Sequence, residues 1–151
     1  MRKLLFVFIV TILVMGPVSW YKVSQIYISS PPPFSVIIHD KAYVVEIVDT
    51  DASRAKGLSL HAPLFSNEGM LFIFEQPGNY GFWMKDMLFP IDIIWIDADL
   101  KVTHIEKSLS PNTYPKLFYP TTPSKYVLEV SAGESEKLNL KIGDTVTFVK
   151  K

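Results

Sequence analysis

Cysteine is absent from the chain. That excludes a disulfide framework, a thiolate metal site and a cysteine nucleophile. Histidine is scarce: His39, His61 and His104 are the three in 151 residues, and none is spaced with another as a metal-binding pair. No glycine-rich phosphate loop occurs, and Ser53, Ser59, Ser66 and Ser110 lie outside any nucleophile-elbow context. Acids are missing before Phe34, where Arg2, Lys3 and Lys22 are the only charges. From Phe34 onward all 15 acids face 12 of the 15 bases, a balance of −3. A nucleic-acid partner would want a basic face, and this balance does not supply one. What the chain has in quantity is apolar surface. A hydrophobic fraction of 48% with 13% aromatics, over 151 residues, suits one domain with a substantial core.

The N-terminus carries a basic pair, Arg2-Lys3, and then "LLFVFIVTILVMGPVSW", 17 residues from Leu4 to Trp20. A cleaved signal peptide has a shorter apolar region, typically about 7–15 residues, and small residues before the cut. A spanning helix needs about 17–25 residues. No A-x-A-like site follows the run, Trp20 and Tyr21 suit the membrane interface, and Lys22 can snorkel. The segment 1–28 is therefore expected to be an uncleaved signal anchor. Its basic end stays in the cytoplasm, and the C-terminal domain lies extracytoplasmic on a single-pass membrane protein. Secretion after signal-peptide cleavage is the alternative. "SSPPPF", residues 29–34, reads as a stiff proline spacer, and residues 35–151 as a single domain.

Within the domain the periodicity is mostly two. "FSVIIH" and "YVVEIV" flank Asp40-Lys41 as a hairpin. "DTDASRAKGLSL" suits a two-turn helix capped by Asp49, Thr50 or Asp51 and ended by Gly57. "MLFIFE", "YGFWM", "IDIIWID", "KVTHIEK", "KYVLEV" and the end of "KIGDTVTFVK" read as strands, and "GESEKLN" as a short helical turn. Residues 108–124 contain four prolines and form a long loop. The expected fold is α+β: a β-rich, mainly antiparallel sheet or partly closed barrel of about eight short strands with two short helices, preceded by the N-terminal membrane helix.

Five ordered motifs, "RAKGLSL", "EGMLFIF", "FWMKDMLFPIDIIWID", "YVLEVSAG" and "KIGD", resemble the domain of unknown function family 192 over about residues 36–149. The matched positions are Arg54, Gly57, Glu68, Gly69, Met70, Phe82, Trp83, Met84, Lys85, Asp86, Pro90, Asp92, Glu129, Gly133, Gly143 and Asp144. The resemblance implies a compact β-rich domain outside the cytoplasm and no particular activity. Family members often carry asparagine where this chain has Asp86 and threonine where it has Met87. That speaks against a required carboxylate at 86 and a metal ligand at 87.

The stretch "YGFWMKDMLFPIDIIWID" concentrates the candidate chemistry. Glu68, Asp86 and Asp92 could pair for acid–base chemistry in one cleft. Asp92 alternates with Ile94 inside a strand, so burial would oblige it to find a partner, with Arg54 and Lys85 the nearest candidates by type. Met70, Met84 and Met87 offer thioethers suited to copper(I), but methionine beside aromatics is the ordinary composition of a core. No metal or cofactor is expected. Alternation makes "FWM" a central strand covered on both faces, within a buried hairpin whose polar connection rims a cleft. Arg54, Glu68, Met70, Trp83, Met84, Lys85, Asp86 and Asp92 are the residues expected at that cleft. The function expected is a ligand- or partner-binding accessory module taking a small molecule, a peptide or an envelope component. The alternative is an extracytoplasmic hydrolase using acidic residues in a cleft near residues 84–92.

Overall fold

The structure is a computed structural model and describes residues 34–150. The anchor expected over 1–28 and the spacer up to residue 33 lie outside the described residues. Among the described residues no helix is long and apolar enough to cross a membrane.

The first two strands, β1 (Phe34–Ile38) and β2 (Lys41–Val48), form the expected hairpin, with Val36 opposite Tyr43. His39 turns it at a φ of 52°. Helix α1 (Asp51–Lys56) follows. Thr50 caps it: its hydroxyl accepts the Ser53 amide, and Ser53 Oγ accepts the Thr50 amide in return. Gly57 ends it at a φ of 48°, where a side chain would be strained. The remaining elements are β3 (Glu68–Gly78), β4 (Ile91–Ile96), β5 (Val102–Leu109), a 3-10 turn (Pro111–Thr113), β6 (Ser124–Ser131), α2 (Glu134–Lys137) and β7 (Val146–Lys150).

The strands make one sheet of seven in the order β5-β4-β6-β3-β2-β1-β7. Every pair is antiparallel except β2–β3, whose parallel register places Val45 opposite Gly69. A parallel pair needs a crossover, and α1 with the loop after it supplies that connection. The sheet is open. Its edge strands meet at one end through the bridge between Lys101 and Thr145.

The structure corrects two expectations. Seven strands stand where about eight were expected, because "YGFWM" is not a strand. Only Phe82 there makes a bridge, to Phe118 in the long loop. Nor do residues 80–97 form a hairpin. β6 occupies the place beside both β3 and β4, so the chain between them has no free ladder to join. It crosses one face of the sheet instead, with Phe82 and Met84 buried and Trp83 and Lys85 exposed.

Strand periodicity sorts the core into two faces. Met70, Phe72, Ile93, Trp95 and Val127 pack on one side. Leu71, Ile94, Ile96, Leu128 and Val130 pack on the other. All six residues of β4 are buried, which explains its nearly continuous apolar sequence.

Asp92, fully buried, lies on the second face. Its carboxylate accepts the amides of Ser108 at 2.8 Å, Gly133 at 3.0 Å and Ser135 at 2.8 Å, and the Ser135 hydroxyl. It thereby ties β4 to β5 and to the start of α2. Neither Arg54 nor Lys85 is its partner. Glu134 is buried as well and is held by Lys41, by Lys137 at 2.8 Å and by the Tyr43 hydroxyl at 3.1 Å. Burial pushes the Glu134 carboxyl up, but these hydrogen bonds outweigh it and hold the group below its usual range.

Candidate functional site

A cleft of about 440 Å³ opens on the first face of the sheet. Phe72, Phe74 and Glu129 contribute from β3 and β6. One wall is α1 and its exit, from Arg54 to Ser59. The opposite wall is the strap of chain from Tyr80 to Met87, joined by Leu117 of the long loop.

Local sequence explains each wall. Arg54 holds α1 against the sheet: Nη1 donates to the Asp49 carbonyl at 2.6 Å and the Ile73 carbonyl at 2.7 Å, and Nη2 to Asp51 Oδ1 at 2.6 Å. Its guanidinium also covers the Phe74 ring at 5.1 Å. On the other side the Phe74 and Tyr80 rings stack with centroids 3.5 Å apart. Phe82 meets Phe72 edge-on at 4.8 Å and Trp95 at 5.7 Å. Gly81 lies close against the Tyr119 ring: a Cβ there would come within 2.5 Å of it and would displace that exposed side chain. The strap is fastened to the α1 exit where the Ser59 hydroxyl donates to the Lys85 carbonyl at 3.0 Å and the Leu60 amide to the Asp86 carbonyl at 2.9 Å.

Three of the eight residues expected at the cleft line it: Arg54, Trp83 and Lys85. Met84 is buried in the core behind the strap, and Met70 lies beneath, directly across the ladder from Glu129. Both methionines pack as core. Asp86 stands in the turn at a φ of 55°. Asparagine and aspartate tolerate that left-handed conformation better than other non-glycine residues, so turn geometry accounts for the residue type there. Glu68 borders a separate cleft of about 230 Å³ with Glu46, His61 and Met70. Its carboxylate accepts the Phe65 amide at 3.0 Å. Asp92 is on the opposite face of the sheet. Glu68, Asp86 and Asp92 therefore do not converge, and the acid pair imagined near residues 84–92 is not assembled. Among the described residues no cluster of three histidines or carboxylates could hold a metal ion.

The residue missed is Glu129. It is 4% exposed, lines the cleft, and has no hydrogen-bond partner for Oε2. Burial pushes its carboxyl up to about 8, so it is mainly protonated at neutral pH. In that form it can donate one hydrogen bond and accept others. A signal existed in "KYVLEV": Glu129 alternates with Val127 on a strand, as Asp92 alternates with Ile94. The rule that singles out Asp92 applies equally to Glu129.

The cleft is thus apolar and aromatic within, with a neutral acid set into the sheet and cations around it. Lys56 and Lys85 line it and are exposed. The Lys85 ammonium lies 5.8 Å from the Trp83 ring centre. Apolar walls with a few placed polar groups, at this volume, are the usual form of a small-molecule site.

Comparison with known proteins gives a family and no activity. The family model DUF192, described as an uncharacterised ACR, matches residues 35–148. A UPF0127 protein of Pyrococcus abyssi is 32% identical over 110 residues, covering 70% of this chain and 86% of the relative. A UPF0127 protein of Thermococcus gammatolerans is 28% identical over 106 residues, covering 69% of this chain and 65% of the relative. Among solved structures, a protein of unknown function from Novosphingobium aromaticivorans matches with a TM-score of 0.71 at 28% identity, covering 80% of this chain and 94% of that one.

Proposed function

The chain belongs to the DUF192 family, and for it we propose a binding role: an extracytoplasmic module, held at the membrane by its N-terminal segment, that takes a small molecule into the cleft over Glu129. The apolar run Leu4–Trp20 behind Arg2-Lys3 supports the tether.

The observation that carries the binding role is the unpartnered Oε2 of Glu129. A buried polar atom left without a hydrogen bond costs about 1–3 kcal/mol, and such atoms are rare. The same domain shows how it treats structural acids. Asp92 accepts four hydrogen bonds. Glu134 has two lysines and a tyrosine. Glu129 differs from both in lining an open cleft, and a turn of its carboxyl toward that cleft would let a bound molecule complete it. No second carboxylate lines that cleft, which favours binding over acid-pair hydrolysis.

The test is native mass spectrometry of the full chain, released gently from the membrane of a related host. We expect a stoichiometric additional mass that is lost in Ala55→Trp, which fills the cleft from the exposed side of α1, and in Glu129→Leu. A mass that persists in both folded variants would place the ligand elsewhere and overturn this reading.

A further inference from the structure

We propose that the ligand is an anionic amphiphile bearing an uncharged oxygen acceptor. Its apolar body lies between the aromatic walls, its anion sits at Lys56 and Lys85, and its acceptor meets the buried, unpartnered carboxyl of Glu129. This inference rests on the cleft reading above and specifies the chemistry that the cleft selects.

Three observations lead to it. The first is the charge around the opening. Titratable groups reach the cleft from α1 as Arg54 and Lys56, and from the strap as Tyr80 and Lys85. The elements on either side of Glu129 in the sheet present Met70 and Ile93, which do not titrate. Arg54 is committed to Asp51 and to two carbonyls, and the Tyr80 hydroxyl donates to the Gln76 carbonyl at 2.7 Å. Lys56 and Lys85 have no ion-pair partner among the described residues. The available charge at the mouth is therefore positive.

The second is the state of the acid within. An ionised carboxylate at this depth would need a paired cation or a set of donors such as Asp92 has, and Glu129 has neither. Burial keeps Glu129 protonated up to about pH 8. It therefore acts as a hydrogen-bond donor and selects an acceptor on the ligand. A protonated amine would meet repulsion from both lysines on entry and a neutral acid at the end. The third is the wall: five aromatic side chains, Phe72, Phe74, Tyr80, Phe82 and Trp83, favour a ring-bearing or otherwise broad apolar body.

The experiment uses the full chain in lipid nanodiscs, with empty nanodiscs as the partition control. Three probes share one two-ring body: acetylbiphenyl carboxylate, biphenyl carboxylate lacking the ketone, and acetylbiphenyl methylamine, which is cationic. We expect the keto acid to bind about tenfold or more tightly than either of the others, a difference in line with one hydrogen bond to a buried polar group. Its affinity should fall as pH rises above about 8, approaching tenfold per pH unit as the protonated fraction declines. Glu129→Gln, which keeps a donor, should bind it without that pH dependence. Glu129→Leu should bind both carboxylates alike, with the keto acid weakened by about tenfold or more to the level of the ketone-free acid. Lys56→Glu with Lys85→Glu should weaken the two carboxylates and spare the amine. Preference for the amine, with affinity rising through pH 8, would overturn the proposal in favour of an ionised Glu129 paired with a cation. If no probe binds while the cleft-dependent mass persists, the ligand class is wrong and the cleft reading stands. If both are missing, both fail.

Discussion

Glu129 is a residue whose environment sets its protonation, and that makes its effect on stability measurable. Its folded pKa of about 8 lies above the ordinary carboxyl value of 4.5. The unfolded chain releases this proton above about pH 4.5, while the folded chain keeps it until about pH 8. The folded state thus binds more protons in that window, and stability falls with rising pH. The contribution is fully present below about pH 4.5 and is lost as pH rises through the window to about 8, with a slope of up to about 1.4 kcal/mol per unit. Glu129→Gln cannot ionise and should flatten that slope. Urea unfolding of both forms at pH 5, 7 and 9 checks it: equal slopes would mean that the carboxyl is not held protonated. Asp92 is a buried acid whose donors are all in place. Asp92→Ala would strand the amides of Ser108, Gly133 and Ser135 in the interior. We expect a loss of about 3 kcal/mol or more, read as a lower urea midpoint with an unchanged slope. The need for Asp92 to find a partner was legible as an acid in a strand of isoleucines. Its actual partners were not, because amides brought from positions 108, 133 and 135 by the fold leave no local pattern. Glu129 carried the same sign. What one strand does not disclose is which acids meet donors and which are left facing a cleft.

At the scale of elements, legibility followed how local the determining contacts are. The hairpin of β1 and β2 and the capped helix α1 were readable because Thr50, Ser53 and Gly57 close their bonds within a few residues. Residues 80–90 were misread for a definite reason. Their period of two is real: Phe82 and Met84 point in, Trp83 and Lys85 point out. An extended strap lying on a sheet produces the same alternation as a strand lying in one, and only the neighbouring ladder distinguishes them. The parallel pairing of β2 with β3 was hidden likewise, since it depends on where the crossover delivers the chain. Helix α1 has six residues and no buried side chain, too short to persist unaided. Its position depends on the cap and on Arg54. Thr50→Ala should cost about 1 kcal/mol. Arg54→Ala should do more at the cleft, because it frees the wall from the Ile73 carbonyl and uncovers Phe74. Amide exchange should then quicken over residues 51–57 while β3, β4 and β6 stay protected. Acceleration spread evenly over the sheet would show instead that Arg54 supports the whole domain.

For the whole molecule, the question is whether two cores on opposite faces behave as two units. The central strands β3, β4 and β6 supply residues to both, in alternation. Leu71 and Phe72 are adjacent in β3, fully or nearly fully buried, and belong to different faces. Losing either set of contacts loosens the ladder on which the other set depends, so the faces should unfold together. Leu71→Ala removes side-chain volume from the second face, and Phe72→Ala from the first. Each should destabilise by about 2–5 kcal/mol. In either variant, tryptophan fluorescence, which includes buried Trp95 on the first face, and far-UV circular dichroism should report one urea transition with a shared midpoint. Separate midpoints in Leu71→Ala would show the cleft-bearing face surviving alone. A single transition has a consequence for the cleft as well. A molecule bound over Glu129 on one face would then protect the Asp92 cluster on the other, because stabilisation by binding is shared by everything that unfolds in the same step.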